Sequence, residues 1–220
     1  MLESGRAGRS PRRSPRFILY VEGPRDRSIL RGWSYRLLPS AGRRLMGGTV
    51  ILGGRQPARA LEHFHGESDA RALCLLDRDG GGGSQPSAQD APGLEFFTWS
   101  RRHIESYLLV PAAIRRALGL PETDPQVDRI LRACLPAPTD EEAYREMDAK
   151  RMLGPKGELV RALGRPISLP RIARATRATE LHPDVHALFD RLRSEFEVPP
   201  RIIRRSELAV RRGDPQPPRS

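Results

Sequence analysis

Apolar residues in the first half of the chain fall into short, nearly continuous runs, separated by stretches with a spacing of three to four. Phe17-Ile18-Leu19-Tyr20-Val21, closed by Gly23, reads as a buried strand. Pro24 then stands at a position where a helix tolerates proline, and Ile29, Leu30, Trp33, Leu37 and Leu38 give an amphipathic helix ending near Pro39. Thr49-Val50-Ile51-Leu52 predicts a second strand, closed by Gly53-Gly54, and a helix through Ala58, Leu61 and Phe64 follows. Ala72-Leu73-Cys74-Leu75-Leu76 is a third strand, and Leu94-Glu95-Phe96-Phe97-Thr98-Trp99 a fourth. A Gly/Ser/Pro/Gln stretch from Gly80 to about Pro92 reads as a loop between them. Continuous apolar strands alternating with helices predict an α/β fold with a parallel sheet covered on both faces.

After Trp99 the pattern becomes helical. Candidate segments are 103–109, 111–118, 125–134, 140–151, 156–163 and 184–196, separated mostly by prolines at 121, 136, 138, 155 and 166 to 170. The expected organisation is a tail at 1–16, an α/β domain at 17–120, a helical extension at 121–197 and a second tail at 198–220. The first tail lacks apolar periodicity and is rich in Pro, Ser, Gly and Arg, which predicts disorder, as does the closing stretch 213–220, while 199–212 reads as a short basic helix or an extended arm.

The 220 residues carry a formal charge of +11. That balance points to nucleic acid, because clustered arginine neutralises phosphate and releases counterions. Its distribution weakens the inference for the body. Residues 1–16 hold a net +4 and 199–220 another +4, leaving only +3 on 17–198. No apolar run reaches the ~18 residues of a membrane span, and no apolar stretch follows the basic N-terminus as in a secretory signal. Cys74 and Cys134 sit in apolar contexts and read as reduced thiols. The expectation is a cytoplasmic protein that meets nucleic acid and no membrane.

The stronger signal is acidic. Glu22 follows the first strand directly, with Asp26 four residues on. Asp77 and Asp79 follow the third strand, and Glu105 lies just beyond the fourth. In an open parallel sheet the carboxyl ends of the strands share one edge, and ligands bind there. Carboxylates brought together repel unless a cation lies between them. Hard oxygen donors favour Mg²⁺ or Mn²⁺, which join substrate phosphates and activate water.

Three stretches carry a resemblance. They are Val21-Glu22-Gly23 with Asp26, then Leu76-Asp77-Arg78-Asp79-Gly80, then Ile104-Glu105-Ser106-Tyr107-Leu108-Leu109. In this order they resemble the TOPRIM domain shared by primases, topoisomerases and the OLD (overcoming lysogenization defect) nucleases. The third is similar to a stretch of the OLD type in particular. The resemblance implies a Rossmannoid parallel sheet of about four strands flanked by helices, with a helical C-terminal extension. It also implies phosphodiester hydrolysis with one or two Mg²⁺ or Mn²⁺ ions. Under it, Glu22 is an acid/base or metal ligand, and Asp26, Asp77, Asp79 and Glu105 are metal ligands. A catalytic lysine follows downstream in OLD nucleases, and Lys156 is the candidate, one of only two lysines beside Lys150 among 38 basic residues. Arg101 and Arg102, next to the acids, are candidates for phosphate contact.

One departure stands out. OLD nucleases carry an ATPase module, and this chain has no Gly-x-x-x-x-Gly-Lys-[Ser/Thr]. ATP control would then come from a separate protein, as in a phage-defence system. The partners expected are nucleic acid, DNA before RNA, and such an ATPase. The alternative is a non-catalytic nucleic-acid-binding module or a subunit that works only beside the ATPase. His63 and His65, two apart on a helix, face different ways and read as surface histidines, and Trp33 and Trp99 read as packing residues.

Overall fold

A computed structural model describes residues 16–67, 69–78 and 91–196. Four strands form one parallel sheet: β1 (Arg16–Val21), β2 (Thr49–Ile51), β3 (Ala70–Leu76) and β4 (Leu94–Thr98). Their order is β2-β1-β3-β4. Leu19 pairs with Thr49 on one side and with Leu73 on the other, and Cys74 pairs with Phe96. This is the α/β class that the apolar runs predict. The chain leaves β1 toward one edge of the sheet and β3 toward the other. The carboxyl ends of these two neighbours therefore form the crevice where such sheets hold ligands.

Successive strand residues point to opposite faces. Ile18, Tyr20, Ala72, Cys74 and Leu76 face α3 (Pro57–His65), where Ala60 and Phe64 complete a small core. Leu19, Val21, Leu73 and Leu75 face the other way, into a core shared with α1 (Pro24–Leu37) and the later helices. That core runs on through Trp33, Trp99 and Ile114 to Leu188 and Leu192, so sheet and helical extension are packed as one body. Trp33 and Trp99 are buried within it, 1% and 2% exposed, in an edge-on contact.

The helical half follows the sequence in part. Helices α4 (Pro111–Leu118), α5 (Pro125–Cys134), α8 (Glu158–Leu163) and α10 (Pro183–Phe196) fall where the periodicity puts them. The segment expected at 103–109 is a 3-10 helix, Ile104–Leu108. The single helix expected over 140–151 is two, α6 (Glu141–Glu146) and α7 (Ala149–Met152). The break comes at Asp148, whose carboxylate accepts the Arg151 N–H and so caps a new helix. Two helices carry no clear sequence pattern, α2 (Gly42–Gly47) and α9 (Leu169–Ala175). The prolines at 166 and 170 look like a separator, yet Pro170 stands in the first turn of α9, where its missing N–H costs nothing. Among the described residues no helix is long and apolar enough to cross a membrane. Both expected tails lie outside the described residues, apart from Arg16, which opens β1, and so does most of the Gly80–Pro92 loop.

Candidate functional site

Strand ends β1 and β3 deliver Glu22 and Asp77 side by side. The Asp77 N–H donates to Glu22 Oε1 at 2.8 Å, so one carboxylate is tied to the backbone that carries the other. Gly53 and Gly54 N–H groups donate to the Glu22 carbonyl at 3.0 and 2.9 Å. Both glycines have positive φ, +82° and +125°, and this turn, which side chains disfavour, folds the end of β2 against the cleft. Asp26 lies in the first turn of α1, where Oδ2 accepts the Gly23 N–H at 2.8 Å. The 3-10 helix brings in Glu105 from across the sheet. Its start is fixed by Asp77, whose Oδ1 accepts the Ile104 N–H at 3.1 Å.

Between these acids lies Lys150. Its ammonium donates to Asp77 Oδ2 at 2.6 Å, and Asp77 itself is only 3% exposed. A cleft of about 330 Å³ is lined by Glu22, Arg25, Asp26, Gly53, Glu105 and Lys150, among others. Lys156, the lysine favoured by sequence, is exposed just before α8 and does not line this cleft. Lys150 does, because Asp148 breaks the helix and restarts the chain toward the acids. The rarity of lysine marked both residues equally. Only the unforeseen break at 147–148 separates them.

The electrostatics of the cleft are those of crowded, poorly compensated acid. Burial pushes the Glu22 carboxyl up to about 7, against the opposing Asp77 N–H bond. Burial likewise raises Asp26 to about 6 and Glu105 to about 7. Lys150 is pulled down by its own burial, but the bond to Asp77 and the charges of Asp77, Glu105 and Asp26 outweigh that and leave it raised. Glu105 is the extreme case. It is 0% exposed, and both carboxylate oxygens are buried without a hydrogen-bond partner. A buried, unpartnered carboxylate is costly, and such a group needs a physical account.

The donor set fits a hard divalent cation: all-oxygen, clustered, with one carboxylate, Glu105, that no other residue hydrogen-bonds. It is not a finished metal cage. Among the described residues no group of three His, Cys, Asp or Glu side chains is placed to hold an ion. Lys150 occupies one Asp77 oxygen and the Asp77 N–H one Glu22 oxygen. Asp79, a further expected ligand, lies outside the described residues.

The two arginines differ. Arg101 is buried, with Nε and Nη2 donating to Glu141 at 2.9 and 2.7 Å and Nη1 to the Ser106 carbonyl at 2.9 Å. Its guanidinium also lies over the Tyr144 ring, 4.6 Å from the centroid. Its guanidinium is thus engaged within the protein. Arg102 remains half-buried beside Arg78, whose N–H donates to its carbonyl.

Sequence reasoning also missed a second polar cluster on the far side of the 3-10 helix. Asp184, at the start of α10, accepts the Ser100 N–H at 3.0 Å and the Tyr107 hydroxyl at 2.5 Å. Burial would raise its carboxyl, but the Ser100 and Tyr107 hydrogen bonds outweigh it and hold the group below the ordinary range.

No protein-family model matches the chain, and no curated protein does. Among solved structures, the chain is similar to the C-terminal region of the Xanthomonas campestris pv. campestris OLD protein phased with platinum. Identity is 15% and the TM-score 0.44, covering 82% of this chain and 93% of that one. The same region phased with iodine gives 16% identity and a TM-score of 0.44, covering 82% and 95%. At these values the likeness assigns no residue of this chain a role.

Proposed function

We propose that the chain is a divalent-metal-dependent nuclease whose centre is the cleft formed by Glu22, Asp26, Asp77, Glu105 and Lys150. The observation that carries this reading is Glu105, fully buried, with both oxygens unpartnered and facing a cleft of further acids. The motif resemblance to TOPRIM nucleases, made on the same acids, supports it independently.

Asp26, Asp77 and Glu105, with Asp79, are the residues that would hold Mg²⁺ or Mn²⁺. Such an ion supplies a bound water of lowered pKa and offsets charge on the phosphate. Glu22 is poised for proton transfer. Burial raises its carboxyl toward the neutral range that suits general acid/base work. In hydrolysis Glu22 takes the proton of the attacking water as the new P–O bond forms. The departing oxygen of the broken P–O bond takes a proton from solvent water, and Glu22 returns its own to solvent. Lys150, a compact ammonium, releases Asp77 and turns to the phosphoryl oxygens, where charge accumulates.

The test is cleavage of labelled DNA and RNA with Mg²⁺, Mn²⁺ or EDTA. The expected result is metal-dependent cleavage, reduced about 10²–10³-fold in Glu22→Gln and in Glu105→Gln. A folded protein that cleaves nothing with either metal would contradict the proposal. The second reading, a binding module without catalysis, draws on the Lys150–Asp77 ion pair, since an internal cation already meets part of the acidic charge. Under that reading nucleic-acid binding survives both substitutions.

A further inference from the structure

Helix α1 begins at the cleft, with Pro24 and Arg25 on its lining, and carries an arginine stripe away from it. Arg27, Arg31 and Tyr35 follow at intervals of four, on one exposed side of the helix. Helix α9 lies alongside. The two helices approach so closely at Gly32 that a Cβ there would stand 2.6 Å from the Ala173 side chain and 2.9 Å from the Pro170 carbonyl. That contact sets Arg174 of α9 against the stripe, its guanidinium 4.1 Å from the centroid of the Tyr35 ring.

Two features set this face apart. The first is its charge. The only acid on α1 is Asp26, 8% exposed and turned into the cleft, and α9 has none. Other arginines, Arg78, Arg101, Arg115, Arg116 and Arg191 among them, are matched with carboxylates, and α5, whose Arg129 and Arg132 are not, carries Asp128 beside them, so the absence of any exposed acid is what marks this face. Among the described residues Arg25, Arg27, Arg31, Arg171 and Arg174 form no such pair, and Arg27 donates only to the Met46 carbonyl. The second is Tyr35, the most exposed large apolar side chain among the described residues at 51%. Hydrogen bonding from Arg31, and then its charge, hold the Tyr35 hydroxyl below its ordinary value.

We infer that the outer face of α1 and α9 is a track for single-stranded nucleic acid leading to the cleft, with Arg31 and Arg174 on phosphates and Tyr35 stacking an unpaired base. The inference rests on the nuclease reading for its direction, but not for its existence. Unpaired guanidiniums supply backbone affinity, and an exposed aromatic among them gives a base a face to stack on. A duplex hides its base faces and has no use for Tyr35.

The experiment is fluorescence anisotropy of a labelled 20-mer in EDTA, using the full chain, so that cleavage plays no part. Single-stranded DNA, single-stranded RNA of the same sequence and the DNA duplex are compared over a salt series. Arg31→Ala with Arg174→Ala is expected to weaken single-strand binding about tenfold or more and to lower the slope of log K against log salt by about 1.4. Tyr35→Ala is expected to cost about fivefold or more on single strands and little on duplex, and Tyr35→Phe to restore binding. Arg129→Ala with Arg132→Ala, which removes equal charge from α5, is the control. If that control weakens binding as much, or Tyr35→Ala weakens duplex and single strand alike, the track does not exist. If the α1/α9 substitutions abolish binding to phosphatidylserine vesicles and spare the oligonucleotides, the face serves a membrane and the inference is overturned. Loss of the track with metal-dependent cleavage intact would leave the nuclease reading standing, and the reverse result would leave the track.

Discussion

Two polar clusters flank the 3-10 helix Ile104–Leu108, and they are built on opposite principles. On one side Asp184, Ser100, Tyr107, Arg101 and Glu141 satisfy one another. Asp184 accepts from Ser100 and Tyr107, the Tyr107 oxygen accepts the Arg101 N–H at 3.0 Å, and the Arg101 guanidinium meets Glu141 through two bonds. At the cleft, by contrast, both oxygens of Glu105 are buried with no partner. The first arrangement is what stabilises a fold. The second costs stability and makes sense only if something else completes it. Neighbouring residues of one short helix thus belong to opposite sides of the balance between stability and function.

Removing the satisfied cluster has the larger effect on stability. Asp184→Ala leaves the Ser100 and Tyr107 donors unpaired and is expected to cost about 3 kcal/mol. In a body of this size that lowers the thermal midpoint by about 6–12 °C, measurable by calorimetry. Glu105→Gln is expected to do the opposite. Without metal at pH 8 it removes a buried, uncompensated charge and gains roughly 2 kcal/mol, while cleavage is lost. If both substitutions destabilise alike, the contrast between the clusters fails.

The two clusters also respond to pH in opposite directions. Glu105 and Glu22 have folded-state values near 7, above the ordinary carboxylate range, because burial penalises the charge. The folded chain therefore binds more protons than the unfolded one between about pH 4.5 and 7, and stability falls across that window as pH rises. Asp184 and Glu141 are held below the ordinary range. Their contribution is present above the unfolded value near pH 4 and is lost on further acidification. Denaturant midpoints from pH 3 to 8 in EDTA should thus peak near pH 5. Glu105→Gln should make the alkaline side shallower and leave the acid side unchanged. A wild-type curve level between pH 5 and 8 would contradict the account.

The smallest effect expected is at Lys156, set against Lys150. Lys156→Ala, exposed and outside the cleft, should change stability by no more than about 0.5 kcal/mol and leave cleavage unchanged. Lys150→Ala strands a buried Asp77 and should lower cleavage sharply. A cleavage defect at Lys156 equal to that at Lys150 would erase the distinction.

The two central strands were legible because they are buried on both faces and so write unbroken apolar runs, Ile18 to Val21 and Ala72 to Leu76. Glu22, Asp26, Asp77 and Glu105 were legible as acids at strand ends, and Glu22 and Asp77 meet because β1 pairs with β3, an order the runs themselves do not reveal. What sequence could not supply depends on breaks and long-range contacts. The cap at Asp148 that turns Lys150 inward looks like one more polar residue in a helix. Arg101 looks like any surface arginine until Glu141, forty positions on, folds against it. Helix α9 is hidden behind its own proline, and Asp184 meets Ser100 and Tyr107 only through the packing of α10.

The most direct test of the central claim is calorimetric titration of Mn²⁺ into the metal-free chain at pH 8, beside Glu105→Gln. The account predicts saturable binding of one or two ions to the wild-type chain, with proton release, and a loss of at least about tenfold in affinity for Glu105→Gln. Equal binding to both, or none to either, would contradict it.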